Sequence, residues 1–145
     1  MHRIDHLRII VGGDLRFLAR LEHGHAPATC AAFVARLPFR QQLVQARWSG
    51  ESAWVPLGDL AFGVGAENQT GRPAPGELLL YPGGVSETEI LFPYGETVFA
   101  SKFGPLAGNH FLTIVDGLGQ LAELGRRVLR EGAQVIVFSV PDALP

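Results

Sequence analysis

The sequence lacks most of the features that would assign it directly to a functional class. It has one cysteine, Cys30, in 145 residues, which excludes an internal disulfide and fits a reducing compartment. Its 12 lysines and arginines are outnumbered by 14 aspartates and glutamates, and no basic stripe of the kind that binds phosphate backbones is present. The N-terminal segment carries only a short apolar run broken by charge, which predicts neither a signal peptide nor a membrane span. We therefore expect a cytoplasmic protein that interacts with neither nucleic acid nor membrane.

Motifs of cofactor-dependent and hydrolytic proteins are missing as well. Gly63 and Gly65 lack the third glycine and the strand-to-helix context of a dinucleotide fingerprint, and the chain contains no phosphate loop and no G-x-S-x-G. His23 and His25 supply at most two ligands, whereas a metal site needs three or four. Cys30 lies on an apolar stripe, which favours a buried, inert thiol over a nucleophile. The sequence therefore predicts no cofactor and no metal site.

The chain is instead rich in apolar residues and in turns. Hydrophobic residues make up 47% of it and charged residues 18%, with 18 glycines and 10 prolines. This composition is typical of a turn-rich globular protein, because there is enough apolar area to offset the entropy of the chain. The length suits one hydrophobic core, and we find no repeat, low-complexity tract or linker. We expect residues 1–145 to form a single domain.

Most of the chain alternates apolar and polar residues between turn signals, which predicts β-strands. Residues 7–11 and 15–21 form a hairpin around a Gly-Gly-Asp turn. Further strands are predicted in the runs LVQARW and AWVPL and at residues 77–81, 88–92, 96–101, 109–115 and 134–140. Residues 58–76 hold many glycines and prolines and no sustained period, which predicts a long loop, either functional or plain surface.

Two helices are predicted, one early and one late in the chain. An apolar stripe at helical spacing runs over residues 30–37, after Pro27 and before Pro38. The second helix extends from a cap at Asp116 to a left-handed stop at Gly132. Strands and helices do not alternate. We therefore expect a mainly β protein of about eight strands, closed into an antiparallel barrel because closure avoids exposed sheet edges.

Both ends of the chain resemble cyclophilins. The early hairpin is followed by HAPATCAAFVARLP, residues 25–38, which is similar to the A-P-x-T-x-x-x-F helix of that family. The segment NHFLTIVDGLGQLAELGRRVLREGAQVIVF, residues 109–138, is similar to the closing strand, helix and terminal strand. Between them, ARWSGESAWVPLGDL, PGELLLYPGG, SETEILFPYG and FASKFGPLAGNHF resemble a group of bacterial cyclophilin-like proteins of uncharacterised function. The resemblance implies one cyclophilin-like domain with a closed barrel and two helices.

Cyclophilins isomerise X–Pro bonds, and the resemblance implies where such a site would lie. Arg47 is in the segment similar to the strand that supplies the arginine aimed at the prolyl nitrogen, and Trp54 and Val55 fall near the pocket residues. The family's F-H-R, Q-G-G-D and G-S-Q-F-F-I motifs are not present as such. An altered pocket implies an altered ligand, so prolyl isomerase activity is the second hypothesis for this chain.

The first hypothesis concerns residues 81–111, where aromatic, carboxylate, amide and basic side chains are densest between glycine and proline turns. With two residues upstream, they suggest a cleft on the barrel face that binds a small polar metabolite, such as one bearing a carboxylate. The candidate ligand-binding residues are Arg47, Trp54, Tyr81, Glu89, Tyr94, Asn109 and His110. We expect these side chains to converge, and no catalytic residue is indicated.

Each candidate also has an ordinary structural explanation. Arg47 and Glu89 fit solvent-facing positions on strands, and His110 fits a structural role. Trp48 is expected to pack in the core and Lys102 to be solvated. A third hypothesis is a homo-oligomeric assembly module, because exposed phenylalanine and leucine side chains in FGPLAGNHF would favour association.

Overall fold

The alternating segments of the sequence form a sheet that closes on itself. The computed structural model describes residues 3–141. In chain order the strands of this region are β1 (His6–Val11), β2 (Leu15–Leu21), β3 (Phe39–Gln45), β4 (Gly50–Gly58), β5 (Gln69–Thr70), β6 (Glu77–Tyr81), β7 (Thr88–Thr97), β8 (Ala100–Ser101), β9 (Gly104–Pro105), β10 (Gly108–Asp116) and β11 (Gln134–Ser139). The helices are α1 (Pro27–Val34) and α2 (Leu121–Arg130).

Eight of these strands form the barrel. Neighbouring strands are hydrogen-bonded in the order β2, β1, β11, β3, β4, β7, β6 and β10, and β10 pairs back onto β2. All of these pairings are antiparallel. The closing pair places Leu112 opposite Leu21 and Ile114 opposite Ala19. The expected mainly β fold, a closed antiparallel barrel of about eight strands with two helices, is confirmed.

The barrel interior is filled from alternate positions along the strands. In β1, Leu7, Ile9 and Val11 are buried, while Arg8 and Ile10 between them are only partly covered. Helix α1 adds Phe33, whose ring centroid lies 5.1 Å from the centroids of both Phe111 and Phe138. These edge-to-face contacts have the separation that aromatic pairs prefer. The predicted apolar stripe of the first helix therefore packs into the core.

Helix α2 packs against β3, β4 and β7 through a face that includes Leu124, Gly125 and Val128. Its outer side carries arginines, and Arg127 donates to Asp14 at 2.5 and 2.9 Å, which ties the helix to the β1–β2 turn. Within residues 3–141, neither helix has the length and apolar character required to cross a membrane.

The predicted strand position of Arg47 is wrong. The chain leaves β3 and makes a single 3-10 turn, Arg47–Ser49. Gly50 follows with φ 98°, a conformation that is strained for residues other than glycine. A Cβ there would also collide with the Glu96 carbonyl oxygen of β7, at 2.7 Å. This turn leaves both Arg47 and Trp48 exposed.

The boundaries of the strands predicted at residues 88–92 and 96–101 also differ in the structure. Most of their length is one strand, β7, which continues through Pro93 to Thr97. Pro93 lies opposite Ser52, next to a register shift in the pairing with β4. A proline is tolerated at such an irregularity, because no regular ladder hydrogen bond is lost there.

The helix boundaries differ from expectation as well. Helix α1 ends at Val34, earlier than expected, because the N–H groups of Arg36 and Leu37 bond carbonyls three residues back. Asp116 does not cap α2. It belongs to β10, and a 3-10 turn, Leu118–Gln120, leads into the helix instead.

Gly125→Ala should destabilise the fold. Gly125 is buried where α2 meets β7, and a Cβ at this position would overlap the Tyr94 ring. Displacing the ring should lower the free energy of unfolding by about 2 kcal/mol. Gly119→Ala is the matched control, since apart from its chain neighbours no described residue has an atom within 4 Å of its Cβ position, and its effect should stay below about 0.5 kcal/mol. Urea unfolding measures both, and equal stabilities would contradict the described packing.

Candidate functional site

One stretch of the barrel's outer surface is covered by the chain itself. Along β7, Ile90 and Phe92 belong to the barrel core, so the alternation of the strand points Glu89 and Leu91 outwards. Leu91 is nevertheless fully buried, in a second cluster that includes Phe99 from the segment after β7. Residues 98–107 thus act as a cover over the outside of the sheet. Both faces of β7 are buried as a result.

A cavity of about 350 Å³ lies beside this cover. It is lined by Trp48, Trp54, Ser86, Glu87, Glu89, Ser101 and Lys102. The two indole rings meet edge to face, with centroids 5.3 Å apart and an interplanar angle of 82°. Two aromatic walls, two hydroxyls, two carboxyls and one ammonium group form a lining that can hold a ligand with polar and apolar parts.

Glu89 is the most unusual group in this cavity. The residue is only 2% exposed, and its Oε2 atom has no hydrogen-bond partner among residues 3–141. Burial, with a smaller contribution from the charge of Glu87, raises the pKa of Glu89 to about 8. The carboxyl is therefore mostly protonated at neutral pH. A perturbed acid with an unpaired atom in a cavity is a frequent feature of functional sites.

Tyr81 shapes the cavity wall without lining it. It lies opposite Glu89 in the β6–β7 pairing, and its ring contacts Phe99 edge to face at 5.9 Å. Its hydroxyl accepts hydrogen bonds from the N–H groups of Val85 at 3.0 Å and Ser86 at 3.4 Å. These bonds fix the turn between β6 and β7, which places Ser86 and Glu87 in the cavity wall.

Arg47 and Tyr94 line a different depression. This groove, of about 570 Å³, runs between α2 and the ends of the neighbouring strands and includes Gln45, Arg126 and Arg130 in its lining. The Tyr94 hydroxyl donates to the Gln45 side-chain oxygen at 2.9 Å. Arg126 is already paired with two glutamates of its own helix region, at 2.8 Å each.

Asn109 is buried and fully bonded. Its amide nitrogen donates to Thr29 Oγ1 at 3.1 Å and to the Gly65 carbonyl at 2.8 Å, and its oxygen accepts from the N–H of Glu67 at 3.1 Å. Burial would raise the pKa of Glu67, but hydrogen bonds from Thr29, at 2.6 Å, hold it below its ordinary value. Asn109 thus joins the long loop to the start of α1, which gives it a structural role.

His110 belongs to a short hydrogen-bonded chain on β10. Its Nε2 atom lies 2.7 Å from the Thr113 hydroxyl, which donates to the Glu22 carboxylate at 2.6 Å. Because the threonine proton is committed to Glu22, we assign the proton of the first bond to His110 Nε2. Burial would raise the pKa of Glu22, but the hydrogen bonds from Thr113 and Arg20 lower it.

The seven candidate residues therefore do not form the single cleft that the sequence analysis expected. Trp54 and Glu89 line the cavity, with Tyr81 supporting its wall. Arg47 and Tyr94 face the groove beside α2, and Asn109 and His110 are engaged in the networks described above.

Sequence reasoning gave two lining residues too little weight. Trp48, expected in the core, is 50% exposed and forms a cavity wall. Lys102, expected to be solvated, is exposed but contributes to the same lining. Each lies in a tight turn next to serine or glycine. The position in a turn is the feature of the sequence that indicates a place in the cavity lining, since turns carry side chains to the rims of cavities.

The stability of the wild-type protein should contain a component that falls as pH rises from about 5 to 8. The pKa of Glu89 in the folded state, about 8, lies above the ordinary glutamate value of 4.5, so the folded chain retains a proton that the unfolded chain releases in this range. Ionisation then favours unfolding, with a loss on the order of a few kcal/mol by pH 8. Urea unfolding of wild type and Glu89→Gln at pH 5 and pH 8 measures this component.

The glutamine variant should lack the component, while Glu87→Gln, which removes a neighbouring charge and keeps Glu89, should retain most of it. Identical pH profiles for wild type and Glu89→Gln would show that Glu89 titrates as a solvated carboxyl.

The barrel recurs in solved structures. A structure of McbB in complex with tryptophan matches with a TM-score of 0.72 and 14% sequence identity, covering 96% of this chain and 46% of that chain. The solution structure of the hypothetical protein AF2241 from Archaeoglobus fulgidus matches with a TM-score of 0.57 and 16% identity, covering 97% and 98%. At these identities the likeness concerns the fold alone.

Comparison of the sequence with models of protein families identifies the family of this chain. No protein of curated function is significantly similar to this chain. The model of a family described as "Protein of unknown function (DUF3830)" matches residues 9–140. This match extends from within β1 to just beyond the end of β11, so it includes the cavity and the groove. The chain therefore belongs to the DUF3830 family.

Proposed function

We propose that this protein binds a small polar metabolite in the cavity between Trp48, Trp54 and Glu89. The observation that carries the proposal is the unpaired, buried carboxyl of Glu89 in a cavity with aromatic walls. Leaving a buried polar atom without a partner costs about 1–3 kcal/mol. A ligand that forms a hydrogen bond with Glu89 would recover this free energy on binding, and the recovered free energy would favour the bound state.

The size and chemistry of the cavity support the same proposal. Its volume of about 350 Å³ falls within the range of small-molecule sites, which combine apolar walls with a few polar groups. McbB, of which this chain covers 46%, is described in complex with tryptophan, and a ligand of that kind, with an aromatic ring and charged groups, would suit this lining. Trp48 and Trp54 would stack on such a ligand or pack against its apolar part.

The cyclophilin-like interpretation and its isomerase activity remain a second hypothesis. The barrel with two helices and the motifs at both ends of the chain support a cyclophilin-like fold. However, the residues that resemble the proline pocket are divided, because Trp54 lines the cavity while Arg47 lines the groove beside α2. Metabolite binding is therefore the better supported function. A rate above background in a protease-coupled proline-peptide assay would favour the isomerase.

Association of the chain with itself is a third hypothesis, compatible with the first. Val85 and Phe103 are each 64% exposed, and each adjoins a residue of the cavity lining, Ser86 and Lys102 respectively. Two exposed apolar side chains near a binding site favour a contact with a second copy. A molecular mass above that of the monomer, measured by light scattering at micromolar concentration, would support it.

A thermal-shift screen with a library of polar metabolites should identify a ligand. A ligand at one hundred times its dissociation constant adds about 2.7 kcal/mol to stability, which corresponds to a shift of several degrees for a chain of this size. Trp54→Ala should weaken the binding of any confirmed ligand at least about tenfold, since it removes one aromatic wall. Isothermal titration calorimetry measures the affinities.

Arg47→Ala is the control, because Arg47 is exposed and lines the other depression. It should leave the affinity unchanged. Loss of binding in Arg47→Ala but not in Trp54→Ala would show that the ligand binds in the groove and not in the cavity. If no ligand is found, the proposal is overturned.

A further inference from the structure

The charge of the ligand follows from the groups that face Glu89, provided that the cavity is the binding site proposed above. Its neighbour on β4 is Pro56, which carries no charge, and its neighbour on β6 is Tyr81, whose hydroxyl oxygen accepts two backbone N–H groups of the β6–β7 turn. The charged groups of the lining are Glu87 and Lys102. Among the lining residues, Lys102 is thus the one positive group that could balance the charge of an ionised Glu89.

Lys102 does not fill that role in the structure. Its side chain is exposed, and its ammonium nitrogen lies 5.2 Å from the centroid of the Phe103 ring. Glu87 is held in place because its Oε1 atom accepts the N–H of Gly58 at 3.0 Å. With Glu87 and Lys102 of opposite sign, the lining is neutral while Glu89 is protonated. It acquires one negative charge when Glu89 ionises.

The walls of the cavity favour a positive group at this point. The faces of aromatic rings carry negative electrostatic potential and attract cations, tryptophan most strongly. Trp48 and Trp54 both line the cavity, and their rings stand nearly perpendicular to each other, in edge-to-face contact. Aromatic faces, hydroxyl oxygens and carboxylate oxygens are all acceptors for an N–H donor that carries positive charge.

We propose that the cavity selects a ligand bearing a primary ammonium group, and that binding exchanges the Glu89 proton for this group. The O–H bond of Glu89 breaks and its proton passes to solvent. A charge-assisted N–H···O bond to the carboxylate forms in its place, so the net charge of the site is unchanged. A zwitterionic amino acid fits the same arrangement, because its carboxylate can be bound by Lys102.

The selectivity is tested with three probes that share a phenyl ring and a short chain: 2-phenylethylamine, 2-phenylethanol and 3-phenylpropanoate. At pH 8 the amine should bind at least about tenfold more tightly than the other two, as expected for an added charge-assisted bond in a buried site. Glu89→Gln has nearly the same shape without the charge and should remove this preference. Glu96→Gln is the matched control, because Glu96 lies on the same strand but is exposed and outside the cavity lining, and it should keep the preference.

Proton exchange gives an independent readout. With Glu89 titrating near pH 8, the amine should displace about 0.9 proton per molecule bound at pH 7. Calorimetry in two buffers of different ionisation enthalpy measures this number. The affinity should rise about tenfold from pH 6 to 7 and about fivefold from pH 7 to 8, and both effects should disappear in Glu89→Gln.

The inference and the proposed function fail in different ways. If the alcohol or the acid binds as tightly as the amine, or if Glu89→Gln keeps the preference, the ammonium assignment is overturned while the cavity remains a binding site. If the amine does not bind at millimolar concentration but library compounds bind and depend on Trp54, the same conclusion holds. If no compound of either set binds, the proposed function is overturned.

Discussion

The structure depends on the pairing of β10 with β2, which closes the sheet. Without this pairing the hairpin at the start of the chain and the strand near its end would both present free edges. Closure also fixes the interior, because Leu112 and Ile114 then lie opposite Leu21 and Ala19 and point the flanking strands' apolar faces inwards. Phe33 from α1 completes the core. The inside of the barrel is therefore full of side chains, and any ligand has to bind on its outside or at its ends.

The cavity exists because part of the outside is covered. Residues 98–107 fold back over β7, and Phe99 buries Leu91 together with Tyr81. On an uncovered strand Glu89 would be in contact with water, where a carboxyl group has its ordinary pKa and is ionised at neutral pH. The cover removes that water and raises the pKa of the group. The same segment supplies Ser101 and Lys102 to the cavity lining, so burial of the acid and formation of the site have one cause.

The barrel could be predicted because its signals are local. The alternation in β1 and β2, the turn between them and the helical spacing after Pro27 each depend on a few neighbouring residues. The site could not be predicted to the same degree, because it depends on contacts between distant segments. Glu89 was among the candidates, yet its alternation with Ile90 suggested a solvated outer face, since nothing in the local pattern reveals a cover. Arg47 was placed on a strand because the glycine that turns the chain, Gly50, looked like part of an ordinary loop.

The two buried polar side chains discussed above show how a structural group differs from a functional one. Asn109 is fully buried, and its amide nitrogen and oxygen are bonded to three partners that hold the loop and α1 together. Glu89 is nearly as buried, but its Oε2 atom has no hydrogen-bond partner among residues 3–141. Within the part of the chain that the structure describes, no hydrogen bond to this atom explains a carboxyl at the position. The proposed ligand would supply the missing bond, because its donor group would pair with Glu89 where the protein does not.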